Sequence, residues 1–373
     1  MQTGTALWPI DLRPGTEGAS ASRRAEILAN PGFAKFPTDH MVHATWTADE
    51  GWHDAELVPY GPLSFDPATN FLHYGQSIFE GLKAYRYTDG SIKTFRPFRN
   101  AARFAASARR LAMAELPDEL FVGSIEALVR QDSAWVPSEA EKSLYLRPFM
   151  LGTEVGLGVR PSAQYDYYLI AAPAGAYFPQ GIKPVSVWIS DDYVRAAIGG
   201  TGEAKCAGNY AASLIAQAEA ATHDCDQVVW LDSVERKWIE EMGGMNLYFV
   251  FGTGDSARIV TPRLTGSLLP GITRESLLTV ASDLGIRAEE GQISVDEWRE
   301  GSESGEITEV FACGTAAVIT PVGHVKSRAS GTWDISSGGT GVVTMRLRQA
   351  LLDIQTGATP DRHNWLHTIC AAE

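Results

Sequence analysis

Strand-like and helix-like segments alternate along most of this chain, on both sides of a Pro/Gly-rich break at residues 176–184 (Ala-Tyr-Phe-Pro-Gln-Gly-Ile-Lys-Pro). A pattern of that kind belongs to α/β or α+β folds. The break reads as a linker at 179–184. Before it lie an arm at 1–40, rich in Gly, Pro, Ser and Ala and expected to be loosely held, and a smaller α/β domain at 41–178. After it lies a larger domain at 185–373. A chain of 373 residues fits two domains of this order.

In the first half, residues 72–87 read as a turn at Gly75, a short helix and a strand. Residues 91–95 are the hairpin partner, joined through Asp89-Gly90. Phe104, Ala108 and Leu111 recur at helical spacing and predict a helix over 98–113. Residues 144–150 and 165–171 read as strands. Beyond the break, 185–190, 227–231 and 247–251 read as strands, and Asn209 is placed to cap a helix running to Thr222. Pro270-Gly271 opens a helix that ends at Gly285. Ser294-Val-Asp-Glu297 is a capping box. Residues 308–312 and 317–321 read as strands flanking a Cys313-Gly314-Thr315 turn.

Composition narrows the partners. The net charge is −14 with no basic cluster, which argues against nucleic acid. The four cysteines form no C-x-x-C pair and no disulfide framework, which points to a reducing cytoplasm. The first residues lack the basic start and apolar core of a signal peptide. No stretch approaches the length of an apolar membrane span.

Three side chains in small-residue surroundings carry the chemistry: Lys205 and Tyr210 in Glu-Ala-Lys-Cys-Ala-Gly-Asn-Tyr, and a carboxylate in Glu240-Glu241-Met-Gly-Gly-Met-Asn. A lysine amine, a phenol and a carboxylate together suit pyridoxal 5'-phosphate: Schiff base, ring hydroxyl and ring nitrogen. Singly, each is also an ordinary surface or core residue, and spacing does not choose between Glu240 and Glu241. Leu269-Pro-Gly-Ile-Thr-Arg274 runs straight into a helix, whose free N–H groups suit a phosphate. Thr273 adds a hydroxyl, and the Cys313-Gly314-Thr315 turn another. Arginines 99, 103, 109 and 110 share one helix, and composition does not say which reaches a phosphate. Tyr145 and Arg147 fall on one face of a strand, Leu144 and Leu146 on the other. An arginine and a phenol on a shared face suit a carboxylate. No acidic or cysteine partners are expected around His40-x-x-His43 and His363-x3-His367, so they read as structural and no metal is expected.

In this order the motifs resemble the branched-chain amino-acid aminotransferases, from about residue 40 to about 355. They are His73-Tyr-Gly-Gln-Ser-Ile-Phe-Glu-Gly-Leu-Lys-Ala-Tyr85, Phe95-Arg-Pro97, Tyr145-Leu-Arg-Pro148, Gly175-Ala-Tyr-Phe-Pro179, Lys205-Cys-Ala-Gly-Asn-Tyr210, Glu241-Met-Gly-Gly-Met-Asn246, Leu269-Pro-Gly-Ile-Thr273 and Gly314-Thr-Ala316. The resemblance implies pyridoxal-phosphate fold type IV: a smaller N-terminal α/β domain, a larger C-terminal pseudo-barrel domain and a homodimer. It implies that Lys205 is the Schiff-base lysine, that Tyr210 bonds the ring hydroxyl and that Glu241 faces the ring nitrogen. Arg103, Ile272, Thr273 and Thr315 would hold the phosphate, and Leu269 would pack on the ring. Tyr74, Phe79, Tyr145, Arg147 and Tyr177 would line the side-chain pocket, with Thr315 and Ala316 receiving the α-carboxylate. The implied reaction is reversible, ping-pong amino transfer between L-leucine, L-isoleucine or L-valine and 2-oxoglutarate. A D-amino-acid aminotransferase or an aminodeoxychorismate lyase of the same fold is the nearest alternative. Three positions depart from mammalian members. Ala317 and Thr320 stand where a C-x-x-C pair would be, and Gly244 stands where they carry a threonine.

Overall fold

The computed structural model describes residues 6–372 apart from 14, 16–17, 140, 179–180 and 336–337. Most of the expected linker is therefore described, but its first two residues lie outside the described set. Contacts divide the chain into two units, 1–179 with 204–208 and 355–373, and 180–203 with 209–354. Two short pieces thus leave the larger half anticipated from sequence and join the first unit. Backbone pairing is the reason. Phe79 N–H donates to the Lys205 carbonyl at 3.0 Å, Ile78 bridges Cys206, and the strand Leu366–Cys370 pairs with Ile92–Phe95.

In the first unit a sheet runs in the order Asp11–Leu12, Gly51–Pro59, His40–Thr47, Gln164–Ala174, Ser143–Gly152, Leu82–Arg86, Ile92–Phe95, Leu366–Cys370, with Ser77–Phe79 added beside Ser143–Gly152. The helices Pro97–Arg110 and Asp118–Gln131 bury Phe104, Ala108, Leu120, Phe121 and Ile125 in one core with Leu144, Leu146 and Leu169. The first of these stops at Arg110, short of the expected 113, because Ala112 turns left-handed (φ 53). Around Gly75 the order differs from expectation. The helix Asn70–Tyr74 precedes the turn, Gly75 ends it in the left-handed region (φ 66), and two short strands follow.

The described part of the expected loose arm is packed. Leu7 and Trp8 lie on the core, and Ser20 caps the helix Ala21–Ala29. Gly175 N–H donates to the Gly32 carbonyl at 2.7 Å and Thr38 N–H to the Ala171 carbonyl at 2.9 Å. Gly- and Pro-rich composition describes turns here, not freedom.

In the second unit the strands Ile239–Met242, Gln227–Leu231, Val185–Ile189, Val318–Ser327, Ile307–Gly314 and Met245–Phe251 pair in that sequence. The last pairs back with the first, so the sheet closes into a six-stranded ring. Alternate side chains fill it, among them Val187, Val229, Leu247, Phe249, Val310 and Val322. The helix Ala207–Thr222 starts two residues before Asn209, which is therefore not its cap. That side chain is instead locked to Thr201, accepting from its hydroxyl at 2.6 Å and donating to its carbonyl at 2.8 Å. Ser294 does cap Val295–Ser304, accepting from Glu297 N–H at 3.1 Å. Cys313 and Gly314 still belong to a strand, so the turn is two residues later than expected, at 315–317.

Candidate active site

The anticipated site residues fall into two sets, one per unit. In the first unit Lys205 is anchored by its backbone: its N–H donates to Ser107 Oγ at 2.9 Å and its carbonyl accepts from Phe79. Its side chain lies against an aromatic ring, with Nζ 5.0 Å from the centre of Phe79. Arg147 sits over the same ring at 4.9 Å and over Tyr145 at 5.4 Å. Its Nη2 donates to the Tyr145 hydroxyl at 3.0 Å, while its Nε is buried with no partner. Strand alternation produces this: Tyr145 and Arg147 point one way, and Leu144 and Leu146 point into the core. Phe33 touches both Tyr145 (5.3 Å) and Tyr177 (5.9 Å) ring to ring. Lys205, Phe79, Tyr145, Arg147 and Tyr177 thus form one aromatic cluster holding two cations. Tyr74 has different neighbours, the Leu157 carbonyl and the His73 ring.

Arg103 is buried and clamps Glu80, with Nε to Oε1 at 2.7 Å and Nη2 to Oε2 at 2.9 Å. Asn100 Nδ2 adds a bond to Oε2 at 2.7 Å. Burial pushes the Glu80 carboxyl up, but the Arg103 charge and hydrogen bonds, with Lys205 and Asn100, outweigh it and hold the group below its ordinary range. Sequence reasoning passed over Glu80, Asn100, Ser107 and Phe33. The signal for Glu80 was present, a lone charge inside the apolar run Ile78-Phe79-Glu80-Gly81-Leu82.

In the second unit Glu241 is 1% exposed on the strand Ile239–Met242. Its Oε1 receives the Leu269 N–H at 2.6 Å and Arg195 Nη2 at 3.2 Å. A carboxylate this deep needs such partners. Arg195, also missed from sequence, donates to the Gly202 carbonyl at 3.1 Å as well. Asn246 Nδ2 holds the Leu269 carbonyl at 3.1 Å, so the loop carrying Leu269 is fixed at both ends of that residue. The helix Ile272–Asp283 begins after Gly271 with no side-chain cap, and Ile272 and Thr273 are buried in its first turn. Tyr248 ties that turn to the neighbouring strand: its hydroxyl donates to the Arg274 carbonyl at 2.7 Å and its ring stacks on Phe311 at 5.2 Å. Thr315 and Ala316 lie half-buried in the turn beyond that strand. Tyr210 lies against Gly244, where a Cβ would sit 3.4 Å from the tyrosine Cε1. The glycine therefore leaves space beside the phenol that a threonine would fill.

Against the expectation from sequence, carboxylates do meet three of the four histidines of the spaced pairs, a different one each: His40 to Asp132 (2.6 Å), His43 to Asp166 (3.2 Å) and His367 to Glu126 (2.7 Å), while the His363 ring stacks on Trp365. Among the described residues no group of three or more His, Cys, Asp or Glu is placed to hold a metal.

These residues fit pyridoxal phosphate. A lysine amine stands among aromatic rings, a buried carboxylate is already oriented by an N–H and a guanidinium, and an uncapped helix start stands beside a threonine. The class IV amino-transferase family signature matches residues 77–325. A probable branched-chain-amino-acid aminotransferase of Streptomyces coelicolor is 64% identical over 96% of this chain and 98% of its own length. The branched-chain-amino-acid aminotransferase of Mycolicibacterium smegmatis is 62% identical over 94% and 95%. Among solved structures, the Escherichia coli branched-chain amino acid aminotransferase superposes with a TM-score of 0.71 at 29% identity, covering 87% of this chain and 99% of that one. The chain belongs to the class IV aminotransferases, and its fold is that of the type IV pyridoxal-phosphate enzymes.

Proposed function

We propose that this protein is a branched-chain amino-acid transaminase that uses pyridoxal 5'-phosphate to move the amino group between L-leucine, L-isoleucine or L-valine and 2-oxoglutarate. The observation that carries this reading is Arg147, laid over Phe79 and Tyr145 with its Nε unpaired, while the Lys205 amine lies against the same Phe79 ring. One pocket must take an apolar branched side chain and, in the other half-reaction, a carboxylate. Aromatic walls serve the first and a single guanidinium with a phenol serves the second. One methylene in such a pocket discriminates by only about 1–3 kcal/mol, so all three branched amino acids are substrates.

When bound, pyridoxal phosphate supplies the conjugated ring that takes up the electron pair left at the substrate Cα. Lys205 Nζ would hold the cofactor covalently and would be the base that moves the proton at the substrate Cα. Such acid–base help is typically worth about 10²–10⁴-fold. Glu241, oriented by Leu269 N–H and Arg195, would keep a proton on the ring nitrogen, and Tyr210 would bond the ring hydroxyl. Arg103, Thr273, Thr315 and the N–H groups at Ile272 would hold the phosphate, and Leu269 would pack on the ring. Tyr74, Phe79, Tyr145 and Tyr177 exclude water from the side chain. Thr315 and Ala316 receive the α-carboxylate.

The same reading takes the enzyme as a cytoplasmic homodimer without nucleic-acid or membrane partners. Unpaired thiols support the compartment. The exposed apolar residues Val155, Leu157 and Val159 support the dimer, as surface that a second copy would cover. Light scattering of the purified protein tests the dimer. An absorption spectrum before and after L-leucine tests the reaction, with D-alanine and aminodeoxychorismate as competing donors. A colourless protein, or one that responds only to D-alanine or aminodeoxychorismate, would refute the assignment.

A further inference from the structure

Glu240 and Glu241 are adjacent on one strand, so their side chains leave on opposite faces. Behind the ring-nitrogen carboxylate, Glu240 lines a separate cavity of about 240 Å³ within the second unit. That volume is large against the ~10–15 Å³ that one water needs, and below the ~300–1,000 Å³ of sites for drug-sized ligands. We infer that this cavity is a binding site for a small organic cation with N–H donors and an apolar body.

Glu240 is 5% exposed, and its Oε2 has no hydrogen-bond partner, while Oε1 accepts only the Ser267 hydroxyl. A buried carboxylate oxygen without a donor is costly, and a ligand N–H would satisfy it. The lining charge is biased the same way. Asp232, Glu235 and Glu240 face one guanidinium, Arg263. Asp232 is not the anchor, because it already accepts the N–H groups of Val234, Glu235, Lys237 and Trp238. Trp238, Pro262 and Leu268 supply the apolar wall, and Ile198 and Val234 line the same cavity while remaining largely exposed, as a mouth requires. Burial pushes the Glu240 carboxyl up, against the Ser267 hydroxyl and the Arg195 charge. A bound cation would offset that cost. The cavity is wired to the chemistry: Arg195 donates to the Ser267 carbonyl and to Glu241, and the Ser267 hydroxyl donates to Glu240.

The test is calorimetric titration of the intact holoenzyme with isopentylguanidine, which carries N–H donors on a permanent cation and an apolar tail. Isopentanol is the uncharged control. The expected result is saturable binding of one guanidinium per chain, undiminished by saturating 2-oxoisocaproate, with isopentanol silent. Glu240→Gln should weaken it by about tenfold or more, as expected for loss of one charge-assisted hydrogen bond. Val234→Arg, at an exposed position of the mouth, should weaken it by repulsion and serves if the first variant fails to fold. No saturable binding, displacement by 2-oxoisocaproate, or unchanged affinity in both variants would overturn the inference. None of these readouts depends on transamination.

Discussion

Arg103 and Glu80 form a wholly buried, two-bonded ion pair between a helix and the end of a short strand. Its partners decide its worth. Removing the carboxylate leaves a guanidinium buried without its anion, which typically costs about 3–5 kcal/mol. Glu80→Gln should therefore be destabilised near neutral pH in urea unfolding. The pH dependence has a definite sign. The folded carboxyl lies below its ordinary value of 4.5, so its contribution is present above that pH and is lost as pH falls through the lower folded value. The gap between wild type and Glu80→Gln should narrow progressively below pH 4.5. A gap that stays constant would show that the pair does not set the charge state of Glu80.

How much of this could be read from the residues differs by element. Strands and helices with strong periodicity came out close to place. The Ser143–Gly152 strand is one, since Leu144 and Leu146 join the core on one face and Tyr145 and Arg147 leave on the other. Elements governed by a single left-handed residue did not. Gly75 reads equally well as the end of a helix or its prelude, and Ala112 gives no sequence sign of its φ of 53. The site shows the same division. Residues whose chemistry is unusual for their surroundings, such as Lys205 and the Glu240–Glu241 pair, stand out in the sequence, although only the resemblance chooses between the two carboxylates. Residues that act on another side chain do not stand out. Arg195 is 46 positions from Glu241, and nothing local to Arg195 marks it as the guanidinium that meets that carboxylate.

Lys205 is held in place by its main chain, through Ser107 Oγ and Phe79 N–H. Lys205→Ala should keep the fold, with an unchanged far-UV circular dichroism spectrum. Turnover with L-leucine should fall by at least the ~10²-fold that a lost acid–base group costs. Cofactor absorbance that depends on the covalent link should vanish. Wild-type activity in this variant would place the reactive amine elsewhere.

Gly81 is a glycine by necessity of contact. A Cβ there would lie 2.2 Å from the Tyr145 hydroxyl. Gly81→Ala must displace that phenol, which now accepts from Arg147 Nη2 at 3.0 Å. Loss of a hydrogen bond to a charged group costs about 1.5–3 kcal/mol, roughly tenfold or more in affinity. The KM for 2-oxoglutarate should rise by about that factor, with a smaller change for L-leucine, in steady-state assays. Equal changes for both substrates would show a general disturbance of the pocket.

Arg147 separates the two demands on the pocket. Its guanidinium is half-buried, stacked on Phe79 and Tyr145, and one of its nitrogens has no partner in the protein. Methionine at this position keeps the apolar stem that covers the rings and removes only the charge and its donors. In Arg147→Met the branched amino acids, which need no cation at their side chains, should keep kcat/KM within a few-fold of wild type. Glutamate and 2-oxoglutarate should lose about ten- to a hundred-fold, the range for losing a charge-assisted bond to a carboxylate. The loss should appear in KM more than in kcat, because the side-chain carboxylate is bound alike before and during proton transfer. Half-reaction kinetics read by the cofactor spectrum separate the two substrates directly. If the leucine half-reaction falls as far as the glutamate one, Arg147 supports the pocket walls and does not choose between the substrates.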